Sequence, residues 1–146
     1  EKERLAFEKK MATQFETDKK AINDYAITKK WKVQRSPSGL SYIITKPGKG
    51  TNAKAGNTVT VHYEGMLLNE KIFDSSKGRA PFSFVLGEGK AIAGWEEGLG
   101  YFNKGSEGYL LIPSKYAYGA TPLDDGKVQV PAFSVLIFKI QVVDIK

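Results

Sequence analysis

Few groups in this chain could do covalent or acid–base chemistry. There is no cysteine, which rules out disulfides, thiolate metal sites and a cysteine nucleophile, and fits either redox compartment. His62 is the single histidine, so a multi-histidine metal site cannot be built. Strand alternation puts it with Thr58, Thr60 and Glu64, opposite Tyr63, and it reads as structural. Glu96 and Glu97 are adjacent carboxylates, but they fall in the first turn of a short helix. Acidic residues there complement the helix dipole, a reading preferred to paired-carboxylate catalysis. Gly87-Glu88-Gly89 and Gly94 suggest a phosphate loop only weakly, because no Gly-Lys-Ser/Thr follows. What remains is aromatic: Phe, Trp and Tyr make up 12% of the chain. Taken singly, an aromatic at strand spacing is core. Asp74, after Phe73 in a Ser- and Gly-rich stretch, is by itself a turn residue.

These side chains need elements to position them. Residues 3–34 contain neither Gly nor Pro. Phe7, Met11 and Phe15 recur every fourth residue, and Ile22 and Tyr25 follow three apart, a thin helical stripe. Asp18, Lys19 and Lys20 interrupt it, so the segment reads as one long helix or two shorter ones rather than a continuous coiled coil. Ser36-Pro37-Ser38-Gly39 is expected to stop the helix and to mark a domain boundary. Beyond it the period changes to two. Leu40 to Thr45 is β-prone, and Val59, Val61 and Tyr63 share one strand face. Phe82, Phe84 and Leu86 alternate, as do Gly108, Leu110 and Ile112. Ile92, Trp95, Leu99 and Phe102 have the spacing of one helix face. Leu136, Phe138, Ile140 and Val142 form one face of a last strand, and Val135, Ile137 and Val143 add apolar residues on the other, so this strand is expected to be central. Phe84, Leu110 and Ile140 are assigned to the core. Strands with one short helix give an α+β class: a curved antiparallel sheet around a short helix, preceded by a helical segment. The divisions are 1–35, a helical extension, and 36–146, a folded domain expected to stand alone.

The 146 residues suffice for one core-forming domain with an appendage. Hydrophobic residues make up 41% and charged residues 26%, ordinary for a globular protein. No apolar run approaches the ~20 residues a membrane span needs. Residues 1–35 hold ten Lys/Arg against six Asp/Glu, so +4 of the net +6 sits there. The signs are mixed, as in Glu1-Lys2-Glu3-Arg4. That favours a solvated helix face over a nucleic-acid or anionic-membrane patch, and no nucleic-acid partner is expected.

Five pieces then occur in order: Val61-His62-Tyr63-Glu64-Gly65, Phe73-Asp74-Ser75-Ser76, Pro81-Phe82-Ser83-Phe84, Gly94-Trp95-Glu96-Glu97-Gly98 and Tyr116-Ala117-Tyr118-Gly119-Ala120. Together they resemble the FKBP family of peptidyl-prolyl cis-trans isomerases, the macrolide-binding class. The resemblance implies isomerase activity that assists protein folding, on proline-containing polypeptides, without cofactor or metal. It implies that Tyr63, Phe73, Phe82, Trp95, Tyr118 and Phe138 wall a shallow pocket with Trp95 as its floor. Ile92 would line it and offer its backbone N–H to a carbonyl. Tyr118 would donate its hydroxyl to another, and Asp74 would be a polar anchor hydrogen-bonded to Tyr63. It also implies a macrolide ligand such as rapamycin.

The chain departs from the family in three places. Ala91 stands where a branched apolar residue, commonly Val, is usual, which should widen one wall. Thr121 to Val130 is longer and more acidic than in the smallest members, leaving only an apolar contact from Val130 to carry over. Phe133 replaces an expected polar residue. The alternative is an FKBP-fold chaperone or scaffold with little catalysis. The helical stripe suits a homodimer or client cradle, and equally packing on its own domain. Ile22 to Tyr25 with Pro37-Ser38-Gly39-Leu40 is similar to exported bacterial FKBP-like lipoproteins, implying a periplasmic or membrane-anchored protein with a removed leading segment, with a cytoplasmic location as the alternative.

Overall fold

The computed structural model describes residues 1–146 except 125, 127 and 128. A single helix, α1 (Lys2–Lys29), opens the chain. It ends earlier than the Ser36–Gly39 punctuation suggests. Lys30 takes a left-handed conformation (φ 61°), its N–H bonding the Ile27 carbonyl at 3.0 Å and that of Trp31 the Ala26 carbonyl at 2.9 Å. This pair of bonds is a Schellman closure with lysine in the place glycine usually takes. Trp31 then stacks on Tyr109 (centroids 4.2 Å apart), which directs the chain onto the sheet.

Ser36–Gly39 instead makes a turn inside the sheet. Gly39 N–H bonds the Ser36 carbonyl and Ser36 N–H bonds that of Leu40, joining β1 (Gln34–Arg35) to β2 (Ser41–Lys46). The boundary drawn at residue 36 therefore falls inside this hairpin, with Gln34 and Arg35 on the sheet side of it. The remaining main-sheet strands are β3 (Thr58–Met66), β4 (Ile72–Ser75), β5 (Phe82–Val85), β6 (Glu107–Ile112) and β9 (Leu136–Ile145). A small separate pair, β7 (Leu123–Asp124) and β8 (Gln129–Val130), lies between β6 and β9 in sequence.

The main sheet is antiparallel, in the order β1-β2-β6-β9-β3-β4, with β5 pairing the first half of β3. The last strand is central, as its two apolar faces predict: β9 pairs β6 on one side and β3 along its length on the other. Leu136, Phe138, Ile140 and Val142 point into the main core with Val59, Val61, Phe84 and Leu110. The short helix α2 (Ala93–Gly98) lies on this face. Gly94 and Gly98, four apart, make the approach possible: a Cβ would come within 2.5 Å of Ile112 at Gly94 and of Leu110 at Gly98.

Helix α1 covers part of the other face. Ile22 packs with Leu111, Val135 and Ile137, all buried, and with Tyr25, Trp31 and Tyr109 around them. Farther back along α1, Leu5 and Phe7 remain half exposed, each at 52%. Among the described residues no helix is long and apolar enough to cross a membrane.

Candidate active site

Strand β3 turns Tyr63 toward the concave face of the sheet, beside Phe138 of the adjacent β9 and Phe73 of β4. Strand β5 brings Phe82 to the rim, and the first turn of α2 sets Trp95 beneath them. The hollow they enclose measures about 440 Å³, completed by Asp74, Lys90, Ala91, Ile92 and Tyr118. All the aromatics expected at the site are thus brought together. Trp95, Phe138 and Phe73 are almost wholly buried, whereas Phe82 at the lip is 40% exposed.

The rings meet edge to face, the arrangement their quadrupoles favour. Trp95 lies 5.1 Å from Tyr63 at 79°, 5.2 Å from Phe138 at 80° and 5.9 Å from Phe82 at 64°. Phe84 backs Trp95 from the core at 6.0 Å. The indole Nε1 of Trp95 is buried with no hydrogen-bond partner among the described residues, an unmatched donor within a floor of aromatic rings.

The polar groups sit at the rim. The Tyr63 hydroxyl donates to Oδ2 of Asp74 at 2.9 Å. The Ser75 N–H donates to Oδ1 of Asp74 at 2.9 Å, and Arg79 pairs with the same oxygen at 3.1 Å. Burial, and then the hydrogen bond to Asp74, push the Tyr63 phenol up to about 12. The Tyr118 phenol is also raised, by burial first and by the Asp74 charge second. Both hydroxyls therefore keep their protons at neutral pH and act as donors. Ile92 caps α2 with its carbonyl, and among the described residues its own N–H has no hydrogen-bond partner.

Val130 is not part of this arrangement. It is 1% exposed, enclosed in the main core and absent from the pocket lining, because β8 turns it inward. Of the Thr121–Val130 segment, residues 125, 127 and 128 lie outside the described residues. Lys90 lines the pocket although sequence reasoning passed over it. A lone lysine in Gly-Glu-Gly-Lys carries no signal that its stem would face an aromatic hollow.

Glu96 and Glu97 do more than complement a dipole. Glu96 accepts the backbone N–H of Gly87 at 2.6 Å and, at the limit of hydrogen bonding, that of Ala91 at 3.4 Å, so it holds the loop that supplies Ala91 and Ile92. Glu97 accepts from Tyr101 at 3.2 Å and from Ser38. Neither faces the hollow. His62 lies on the outer face, its Nδ1 2.9 Å from the Ser76 hydroxyl. The outer hollow that it lines, about 330 Å³, is walled mostly by polar and charged groups such as Glu64, Lys139 and Gln141. Among the described residues no group of acidic and histidine side chains could hold a metal ion.

An antiparallel sheet packed on a short helix thus carries an aromatic hollow with polar groups at its rim, a binding site. The comparisons make the class specific. The FKBP-type peptidyl-prolyl cis-trans isomerase model matches residues 49–143, and the chain belongs to that family. It is 43% identical over 116 residues to the FKBP-type peptidyl-prolyl cis-trans isomerase FkpA of Buchnera aphidicola subsp. Schizaphis graminum, covering 78% of this chain and 44% of that protein. It is 39% identical over 119 residues to FK506-binding protein 4 of Mycosarcoma maydis, covering 82% and 31%. The chain thus spans less than half the length of these two relatives. The crystal structure of FkpA from Escherichia coli superposes with a TM-score of 0.74 at 36% identity, over 98% of this chain and 64% of that one. AtFKBP13 superposes at 0.70, also 36% identical, over 77% of this chain and 98% of its own.

Proposed function

We propose that this chain accelerates cis–trans isomerisation of X-Pro bonds in polypeptides, and so assists their folding. The barrier is about 18–20 kcal/mol, because the amide must lose resonance as it twists. A catalyst must bind the twisted amide better than either planar form. The observation that carries the reading is the aromatic hollow floored by Trp95. A twisted amide has less charge separation than a planar one, so a water-free apolar site favours it. The prolyl ring would rest on Trp95, between Tyr63, Phe82 and Phe138. The Ile92 N–H and the Tyr118 hydroxyl would hold the flanking carbonyls, with Asp74 keeping Tyr63 in place.

The same hollow suits a macrolide. FK506-binding protein 4 carries that ligand in its name, and rapamycin is the natural probe here. A protease-coupled assay on a proline tetrapeptide, with and without rapamycin, tests the reading. Turnover at substoichiometric protein, abolished by rapamycin, is expected. A rate equal to the uncatalysed one would leave the chaperone or scaffold reading in its place.

The half-exposed Leu5 and Phe7 on α1 favour a second copy of the chain, or a client polypeptide, against the free end of the helix. Analytical ultracentrifugation of the chain and of a Leu5→Ser/Phe7→Ser variant would separate these. An exported, envelope-associated location is supported by the likeness to FkpA along almost the whole chain, α1 included. Fractionation of cells expressing the natural full-length protein tests it.

A further inference from the structure

One buried carboxylate ties helix α1 to the turn that precedes Tyr118. Asp18 is 3% exposed, although it interrupts the apolar stripe of its helix. Its Oδ2 accepts both the backbone N–H of Ser114 at 2.9 Å and the Ser114 hydroxyl at 2.5 Å, and Gln14 donates to its Oδ1 at 2.8 Å. Ser114, 1% exposed, begins the turn that follows β6. Its carbonyl accepts the N–H of Ala117 at 3.0 Å and that of Gly119 at 2.8 Å, the two residues that flank Tyr118. One turn before Asp18, Phe15 meets Tyr116 edge-on at 5.8 Å, and the Tyr116 hydroxyl donates to the Ser38 carbonyl at 2.8 Å.

We propose that Asp18 is a positioning residue for isomerisation: by fastening Ser114, it fixes the turn that aims Tyr118 into the pocket. The proposal rests on the reading of Tyr118 as a pocket residue. A buried carboxylate is a poor way to gain stability alone, since an apolar residue of similar size would avoid its desolvation. What it supplies is direction. Two donors on one oxygen hold the start of the turn, and the same residue's carbonyl holds its end. With the carboxylate gone, Ser114 keeps its place in the chain, but its N–H and hydroxyl are free to turn toward water, and the Tyr118 ring with them. Small displacements of a group that contacts the reacting bond have large effects on rate.

The test is a double-mutant cycle in the full chain. Asp18→Ala is expected to lower kcat/KM on a proline tetrapeptide about three- to tenfold. In a Tyr118→Ala background the same substitution should change kcat/KM by less than about twofold, because nothing is left to position. The urea midpoint should fall in both backgrounds, so a stability effect alone cannot produce the split. An equal rate factor in both backgrounds, or no loss of rate in a folded Asp18→Ala protein, overturns the proposal. If Asp18→Ala does not fold, Asp18→Asn, which keeps the volume and one acceptor, is read by the same criterion. Tyr118→Ala as active as the wild type would remove Tyr118 from the site, and this role with it. An inactive wild type would defeat the isomerase reading itself, and the proposal along with it.

Discussion

Tyr63 and Asp74, on paired strands β3 and β4, are locked by a hydrogen bond of 2.9 Å across the pocket rim. The carboxylate also receives Ser75 and Arg79, so a wall residue and the loop beside it move as one unit.

Asp74→Leu should therefore loosen the wall while leaving the fold, since the Asp74 side chain is 38% exposed. A lost hydrogen bond of this kind, worth about 1.4 kcal/mol, corresponds to roughly tenfold in kcat/KM. Far-UV circular dichroism would confirm folding, and an unchanged rate in the folded variant would take Asp74 out of the site.

The raised Tyr63 phenol makes an alkaline prediction. An unfolded tyrosine titrates near ~10, and the folded one at about 12. The folded state holds this proton more tightly, so the stabilisation is complete below about pH 10 and disappears as pH climbs toward about 12. Tyr25, Tyr101 and Tyr118 are also raised, chiefly by burial, and act in the same direction. The urea midpoint should drop between about pH 10 and pH 12, and drop less in Tyr63→Phe. Identical slopes would show that Tyr63 does not carry the effect.

Ala91 lines the hollow next to Ile92. Ala91→Val adds two carbons there, worth at most about 1.6 kcal/mol at ~0.8 per buried CH₂. Rapamycin should bind up to roughly tenfold tighter, with a smaller effect on a flexible peptide that can shift to fill the gap. Equal Kd values by titration calorimetry would move the limit on affinity to the Thr121–Val130 segment.

Ile22 is 2% exposed over Leu111, Val135 and Ile137. Ile22→Ala should cost about 2–4 kcal/mol of stability by urea unfolding. A fragment starting at Ser38 strips this cover together with Asp18 and β1. It should be less stable than the whole chain and slower on peptide, whereas the sequence alone suggests a free-standing domain. A fragment matching the whole chain in both would make α1 a mere passenger.

Local pattern reached β2, β3, β5, β6 and the central place of β9, because alternation lies within short windows, but not β1, β4, β7 or β8, and the aromatic hollow came only with the family resemblance of the ordered motifs. It missed what depends on distance. Asp18 reads as a break in a stripe because its partner Ser114 is 96 residues away. The helix stop at Lys30 was hidden because a lysine, not a glycine, takes the left-handed position, held there by Trp31 docking on Tyr109. Val130 enters the expected site only as a contact carried over from the family, whereas its strand β8 places it in the core.

The place of β9 also sets when this sheet can exist. Until residues 136–145 are in place there is nothing between β6 and β3. The earlier strands form two detached ribbons, β1-β2-β6 and β3 with β4 and β5, each with an open edge waiting for the same partner. Such edges are where nascent chains pair wrongly. The sheet is thus complete only once its last strand is in place between β6 and β3.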